Sequence, residues 1–419
     1  MMKRLVLAAV AVASCFAVSI SAIGSDEPIQ PDTNIPAVDE FGPGVWQPNS
    51  ITDRTPFLQG APTHQDGDAG SDPSGAFRFI CEAGQLKTDD PVVYPGQPGK
   101  SHLHDFYGNT SVNAFSTYEV QRRAVPANPL SAATPGTTCQ NFLNASGYWN
   151  PAMDNGAGKI VRPNFVSVYY KRPPQSGPEC TKGNVKRQGY CVGTPHRIRY
   201  VFGYDMRTNT PATGAVEWKC RNGGQEGEHF DNMVDALAAC PNKANPQPDM
   251  ALAVLMQAPP CWDGKNLDSP NGRSHVAYKV ERDSYTACPL SHPYLQPAFE
   301  LGVWYPLILP NGTVDPTVDF SGSWVPGKTF GWRLVTDPMV NVRPGRSWHA
   351  DYAEGWDRDT KVDWTHNCID KRLSCAGGDL GNGTALKEIY PLDYKANVRL
   401  ANRPKMAHEM SMGVLRGPQ

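Results

Sequence analysis

Between about residue 79 and residue 375 the apolar positions come in short runs, broken by Gly, Pro and Asn. That is the pattern of strands joined by turns. Phe165-Val166-Ser167-Val168-Tyr169-Tyr170 is β-branched and aromatic, and Arg197-Ile198-Arg199-Tyr200-Val201-Phe202 opens by alternating charged with apolar residues. The stretches 299–309 and 329–335 are similar, and all four predict strands. One segment departs from this pattern. Within 230–240, Met233, Val234, Leu237 and Ala238 fall at helical spacing, with Asp231 or Asn232 in place to cap a helix. No repeat of fixed period occurs. The expected fold is mainly β, of the β-rich α+β kind. It is a disulfide-stapled sandwich or jelly-roll-like single large domain with long loops. The pattern leaves the strand order open.

The flanks read differently. Residues 25–78 are rich in Pro, Asp and Gly and predict an extended lead-in to a β-rich domain over 79–375. Residues 376–419, with Gly377, Gly378, Gly381 and Gly383, predict a tail. At the start, Lys3-Arg4 precedes an apolar run from Leu5 to Ile20 and then the small residues Ser21, Ala22 and Gly24. This is the layout of a secretory signal peptide over 1–24, so a secreted or periplasmic location is expected. A rival reading takes Val12-Ala13-Ser14-Cys15 as a lipobox, with a lipid anchor at Cys15 on an envelope membrane. No later apolar run reaches the length of a membrane span.

Composition narrows the classes. The 419 residues carry a net charge of -2, which excludes the basic footprint of a nucleic-acid binder. Gly and Pro, 39 of each, exclude long helical bundles, while 40% hydrophobic residues and ten Trp suffice for a core. Of 11 cysteines, all but Cys15 lie beyond the leader, an even set that predicts a disulfide framework. Cys180–Cys191, Cys220–Cys240 and Cys368–Cys375 are the nearest candidate pairs. No C-x-x-C occurs, so a zinc ribbon is excluded.

The densest chemistry lies in His102-Leu103-His104-Asp105. On a strand, residues two apart share a face, so His102 and His104 converge as a chelating pair while Asp105 points to the other side. A second i, i+2 pair, His349 and Asp351, offers a nitrogen and an oxygen. Together they suit zinc or another divalent ion, of unknown identity. They equally suit metal-free acid/base chemistry, with Asp105 or Asp351 as the carboxylate and a histidine as proton shuttle. His275 and His292 lie in turn-rich, cysteine-flanked segments and are further candidates. The bland readings are hydrogen-bonded structural histidines and core tryptophans. Gly99-Lys100-Ser101 lacks the first glycine of a phosphate loop, the Asp66–Asp72 stretch lacks the closing Glu of an EF-hand, and no G-x-S-x-G occurs.

Five segments in order are H-L-H-D-F-Y-G-N (102–109), C-W-D-G-K-N-L-D (261–268), R-S-H-x-A-Y (273–278), C-P-x-S-H-P (288–293) and H-A-D-x-x-x-G-W-D (349–357). In these the chain resembles a domain-of-unknown-function family of secreted fungal and bacterial proteins. Fungal members are often joined to small carbohydrate-binding wall modules. The resemblance implies export, a disulfide-stapled domain and work at a surface or on polysaccharide. It supplies no reaction. It carries over onto His102, His104, Asp105, Asp263, Asp268, Arg273, His275, His292, His349, Asp351 and Asp357.

The expectation is therefore one polar site. His102, His104 and His349 are its metal candidates, and Asp105, Asp351, His275 and His292 its catalytic ones. Tyr and Trp residues would line a groove for polysaccharide or cell-wall glycan. Two functions compete: a hydrolase or lyase acting on extracellular carbohydrate, and a non-catalytic glycan-binding or envelope structural protein. A catalytic site requires the 102–105 and 349–351 segments to meet in one cleft.

Overall fold

The computed structural model describes residues 38–43, 53–62, 64, 69–123, 136–214, 216–282, 285–327, 331–388 and 397–404. The leader over 1–24 and Cys15 lie outside them.

The chain is mainly β. Its larger sheet has seven strands, in the order Gln225–Glu226, Val216–Asn222, Ala251–Gln257, Ala298–Pro306, Phe165–Arg172, Gly75–Cys81 and Ser374–Cys375. Ser374–Cys375 joins parallel and the other pairs are antiparallel. A second, wholly antiparallel sheet has five: Arg199–Gly203, His349–Ala353, Gly147–Pro151, His104–Gly108 and Ala83–Lys87. The strands expected at 165–170, 197–202 and 299–309 are thus central to the architecture. Of the one expected at 329–335, residues 329–330 lie outside the described residues, and Arg333–Leu334 forms a strand.

The sheets pack face to face through aromatic rings. Phe299 of the larger sheet stacks on Tyr352 and Tyr148 of the smaller, at 4.6 and 5.6 Å between centroids. Each such ring contributes roughly 1.5–3 kcal/mol on burial. The buried hydroxyls need partners, and they find each other: Tyr170 donates to Tyr352 at 3.2 Å, and Trp356 Nε1–H to Tyr170 at 3.0 Å.

Alternation along the strands sends every second residue to the other face of the five-stranded sheet. That face is buried too. Phe106, Trp149, Val201 and Ala353 pack there against Val92 and Val112 from the segments that cross over it. A sheet covered on both sides leaves any polar residue on it desolvated, which determines the chemistry described below.

Two short helices match local signals. Met233–Ala238 is capped by Asn232, which accepts from the Asp235 amide, and Arg358–Trp364 is capped by Asp357, which accepts from the Thr360 amide. The cysteines beyond Cys15 form five disulfides: 180–191, 220–240 and 368–375, and also 81–139 and 261–288. Lead-in and tail both contribute strands. Leu58–Gly60 pairs with Thr384–Leu386, and Arg399–Asn402 with Lys159–Arg162. Among the described residues no helix is long and apolar enough to cross a membrane.

Candidate metal centre

His104 opens the strand His104–Gly108, and His349 opens His349–Ala353. The strand Gly147–Pro151 runs between them. His104 lies opposite Pro151, and His349 opposite Gly203. Gly203 has φ +92°, and a Cβ there would meet His349 Cα and the Trp348 carbonyl oxygen at 2.7 Å. Only glycine lets the neighbouring backbone come this close. His102 arrives from the segment leading into its strand, so the H-x-H pair converges although His102 is off the strand. The three rings form one cluster. Centroid separations are 4.2 Å for His102–His104, 4.9 Å for His102–His349 and 6.2 Å for His104–His349.

Backbone carbonyls orient the rings. His349 Nδ1 lies 2.9 Å from the Ser347 carbonyl oxygen, and His104 Nδ1 lies 3.1 Å from that of Asp89. A carbonyl only accepts, so each Nδ1 carries the proton and each Nε2 presents a lone pair. His349 Nε2 faces His102 Nε2 at 3.0 Å, while His104 Nε2 is buried without a partner. Two nitrogens on one zinc ion, each about 2.0–2.1 Å away at the tetrahedral angle, stand roughly 3.3–3.4 Å apart. A movement of a few tenths of an ångström therefore converts the observed pair into a ligand pair. Metal-binding histidines commonly donate their other ring N–H in this way.

Burial sets the charge states. It pushes the His102 imidazole well below its ordinary value, aided by repulsion from His104 and His349. It pushes His104 down to about 3 and His349 to about 4, the carbonyl bonds opposing it in both. All three are neutral near pH 7, the form that ligates.

Beside the histidines lie two carboxylates. Asp351 is fully buried, and neither of its oxygens has a hydrogen-bond partner. Burial raises it well above the carboxylate range, and the neighbouring Asp90 adds to this. Asp90 is raised to about 6, again by burial first. Ligand atoms of His102, His104 and His349 all lie within 4.8 Å of one another, as do those of Asp90, His104 and Asp351. A cleft opens over His102 and His349, with Tyr94, Ser101, Tyr204, Arg207 and Arg273 among its walls. His104 lies deeper. The geometry is that of a site with one open side.

The other candidates stand elsewhere. Asp105 is fully buried on the opposite face of the sheet from His104 and is held by Arg162 at 2.8 Å. His275 pairs with the Ser269 hydroxyl at 2.9 Å, and His292 Nε2 with the Ser274 carbonyl at 3.0 Å. Neither belongs to the histidine cluster. Asp263 accepts the Lys265 and Asn266 amides of its own turn, Asp268 pairs with Arg199, and Arg273 donates to the Gly203 and Tyr204 carbonyls. These motif residues brace the loops around the cleft. Trp149, Trp262, Trp348, Trp356 and Trp364 are all 0% exposed, so the expected groove of tryptophans is corrected: they are core. The reading of the sequence missed Asp90. It stands in Thr88-Asp89-Asp90-Pro91, which looks like an ordinary turn, and its Oδ1 does accept the Val92 and Val93 amides.

Residues 90–356 match the model of a family described as a domain of unknown function, DUF1996. That span contains every residue of the cluster. No curated protein and no solved structure matches the chain.

Proposed function

We propose that this chain, which belongs to the DUF1996 family of domains of unknown function, is an exported, metal-dependent hydrolase or lyase acting on extracellular or cell-wall carbohydrate. One observation carries the reading. Histidines from two distant parts of the chain converge at the foot of a cleft, with His104 and His349 held in the ligating tautomer by carbonyls. His102, His104 and His349 would hold a divalent ion, which when bound would polarise a substrate oxygen or lower the pKa of a bound water. The chain's own residues do the rest. The Asp89 and Ser347 carbonyls orient the rings, and the packed face of the sheet excludes water from behind. His102 and His349 face the cleft, leaving room on that side for substrate. The nearby carboxylates are Asp351 and Asp90, whereas Asp105 is turned away. The walls mix apolar Val93, Val201 and Met206 with Tyr94 and the side chains of Arg207 and Arg273, and the two guanidiniums suit an acidic sugar.

Export rests on the basic-then-apolar leader and on the complete pairing of the later cysteines. Carbohydrate rests on the family resemblance and on the two guanidiniums of the cleft. The second reading, a non-catalytic glycan-binding or envelope structural protein, has less support. It calls for aromatics on an open face, and the tryptophans are buried. Among the described residues Phe115, at 62% exposure, is the aromatic side chain that stands out in solvent.

The test is a polysaccharide panel incubated with chelated and with metal-reloaded protein, read by new reducing ends and by unsaturated products. Metal-restored release, absent in His104→Ala, is the expected result. Binding on a glycan array with no release under either condition overturns the enzyme in favour of the binding protein.

A further inference from the structure

The chain has two buried carboxylates side by side, Asp351 on a strand of the five-stranded sheet and Asp90 in a turn next to it, with no cationic side chain bonded to Asp351. Asp351 Oδ1 and Oδ2 are both buried and unpartnered, and so is His104 Nε2. Among the described residues most buried acids are satisfied differently. Asp337 accepts from the Leu334, Gly345 and Ser347 amides, and Asp357 from Thr360. Asp90 spends only Oδ1 on its turn. A desolvated carboxylate without donors calls for a cation. The surface group Glu40–His366–Asp370 has similar residues and makes no such demand. His366 Nε2 already meets both Glu40 oxygens, and Asp370 Oδ1 takes Arg172 and the Gln175 amide.

We propose that Asp90 and Asp351, beside His104, form a second cation subsite next to the three-histidine centre, for an oxygen-preferring divalent ion such as manganese. The proposal deepens the metal reading above and rests on it. The two subsites differ in chemistry. Three imidazoles favour zinc or its neighbours, whereas two carboxylates favour harder ions. His104 Nε2 has one lone pair, which goes to the three-histidine centre, and it lies within 4.8 Å of the ligand atoms of Asp90 and Asp351, so the two ions would be close neighbours, the arrangement found where two metals act on one substrate. Both groups lie beneath the same cleft, since Asp90 and His349 both line it.

The experiment is a manganese titration of the full chain, metal-free and zinc-loaded, followed by the loss of the free-manganese paramagnetic signal. The wild type is expected to bind about one equivalent of manganese when zinc-loaded. Asp351→Asn and Asp90→Asn should each weaken manganese at least tenfold and leave the zinc content unchanged. The amide side chain of the Asp90→Asn variant keeps an oxygen for the Val92 and Val93 amides, so this variant guards against misfolding of the other, and circular dichroism checks both. His102→Ala should lose zinc and retain manganese. Should the histidines take no zinc at all, the function proposed above fails, and manganese binding by the metal-free wild type against Asp351→Asn still reads the carboxylates. No manganese in the wild type, or wild-type manganese affinity in both Asn variants, overturns the second subsite.

Discussion

Replacing His349 with Ala separates a metal ligand from a structural histidine, because the two roles differ in how stability responds to zinc. The side chain is 4% exposed and donates one N–H, to Ser347. In the metal-free protein its loss removes a hydrogen bond worth about 1 kcal/mol and leaves a ring-sized void. The total cost should be about 2–3 kcal/mol, typical of a buried truncation. Zinc at 100 times the wild-type Kd stabilises the wild type by about 2.7 kcal/mol. If the variant binds 100-fold more weakly, the same zinc stabilises it by only about 0.4 kcal/mol. Urea unfolding of both proteins, with chelator and with zinc, should therefore give a double difference of roughly 2.3 kcal/mol. Equal zinc stabilisation of the two proteins, or none of the wild type, would refute the role assigned to His349.

Four further outcomes follow from the packing. Arg162→Met leaves the buried Asp105 carboxylate uncompensated and should cost about 3 kcal/mol in chemical unfolding, the low end for such a pair because Arg162 is partly exposed, with metal content unchanged. Asp105 itself is raised by burial to about 6, against 3.8 for the unfolded chain. The native state then holds the extra proton between these values, so this group's contribution falls as pH rises from about 4 to about 6. Asp105→Asn should make the stability–pH slope in that window more positive than in wild type, and an unchanged slope contradicts the assignment. Breaking Cys81–Cys139, which closes 58 residues, should cost about 4 kcal/mol by the loop-entropy relation, read by denaturation of the double Ser variant. Gly203→Ala forces a side chain against the His349 backbone at positive φ and should lower both melting temperature and zinc affinity, measured by calorimetry with and without the metal.

Much of the site was legible in the chain because strand geometry is local. The i, i+2 spacing that pairs His349 with Asp351 comes from the pleat, and so does the turning of Asp105 to the opposite face, whereas His102 meets His104 from the segment just before the strand. What joins the two pairs is register across Gly147–Pro151, a long-range fact that no local spacing encodes. Asp90 was hidden for a different reason. A turn aspartate that caps two amides looks the same whether or not its second oxygen has further work. His275 and His292 show the converse, since only tertiary partners, Ser269 and the Ser274 carbonyl, distinguish them from His102. Among the disulfides the three short loops followed from proximity in sequence, whereas 81–139 and 261–288 needed the folded sheets.

The central claim is that His102, His104 and His349 hold a divalent metal. Its most direct test is the metal content of the purified full chain by elemental mass spectrometry, beside a His102→Ala/His104→Ala double variant. The account predicts at least one equivalent of zinc, manganese, iron or copper in the wild type, lost from the variant. A wild type that stays metal-free after reloading, or a variant that keeps the same metal in full, would contradict it.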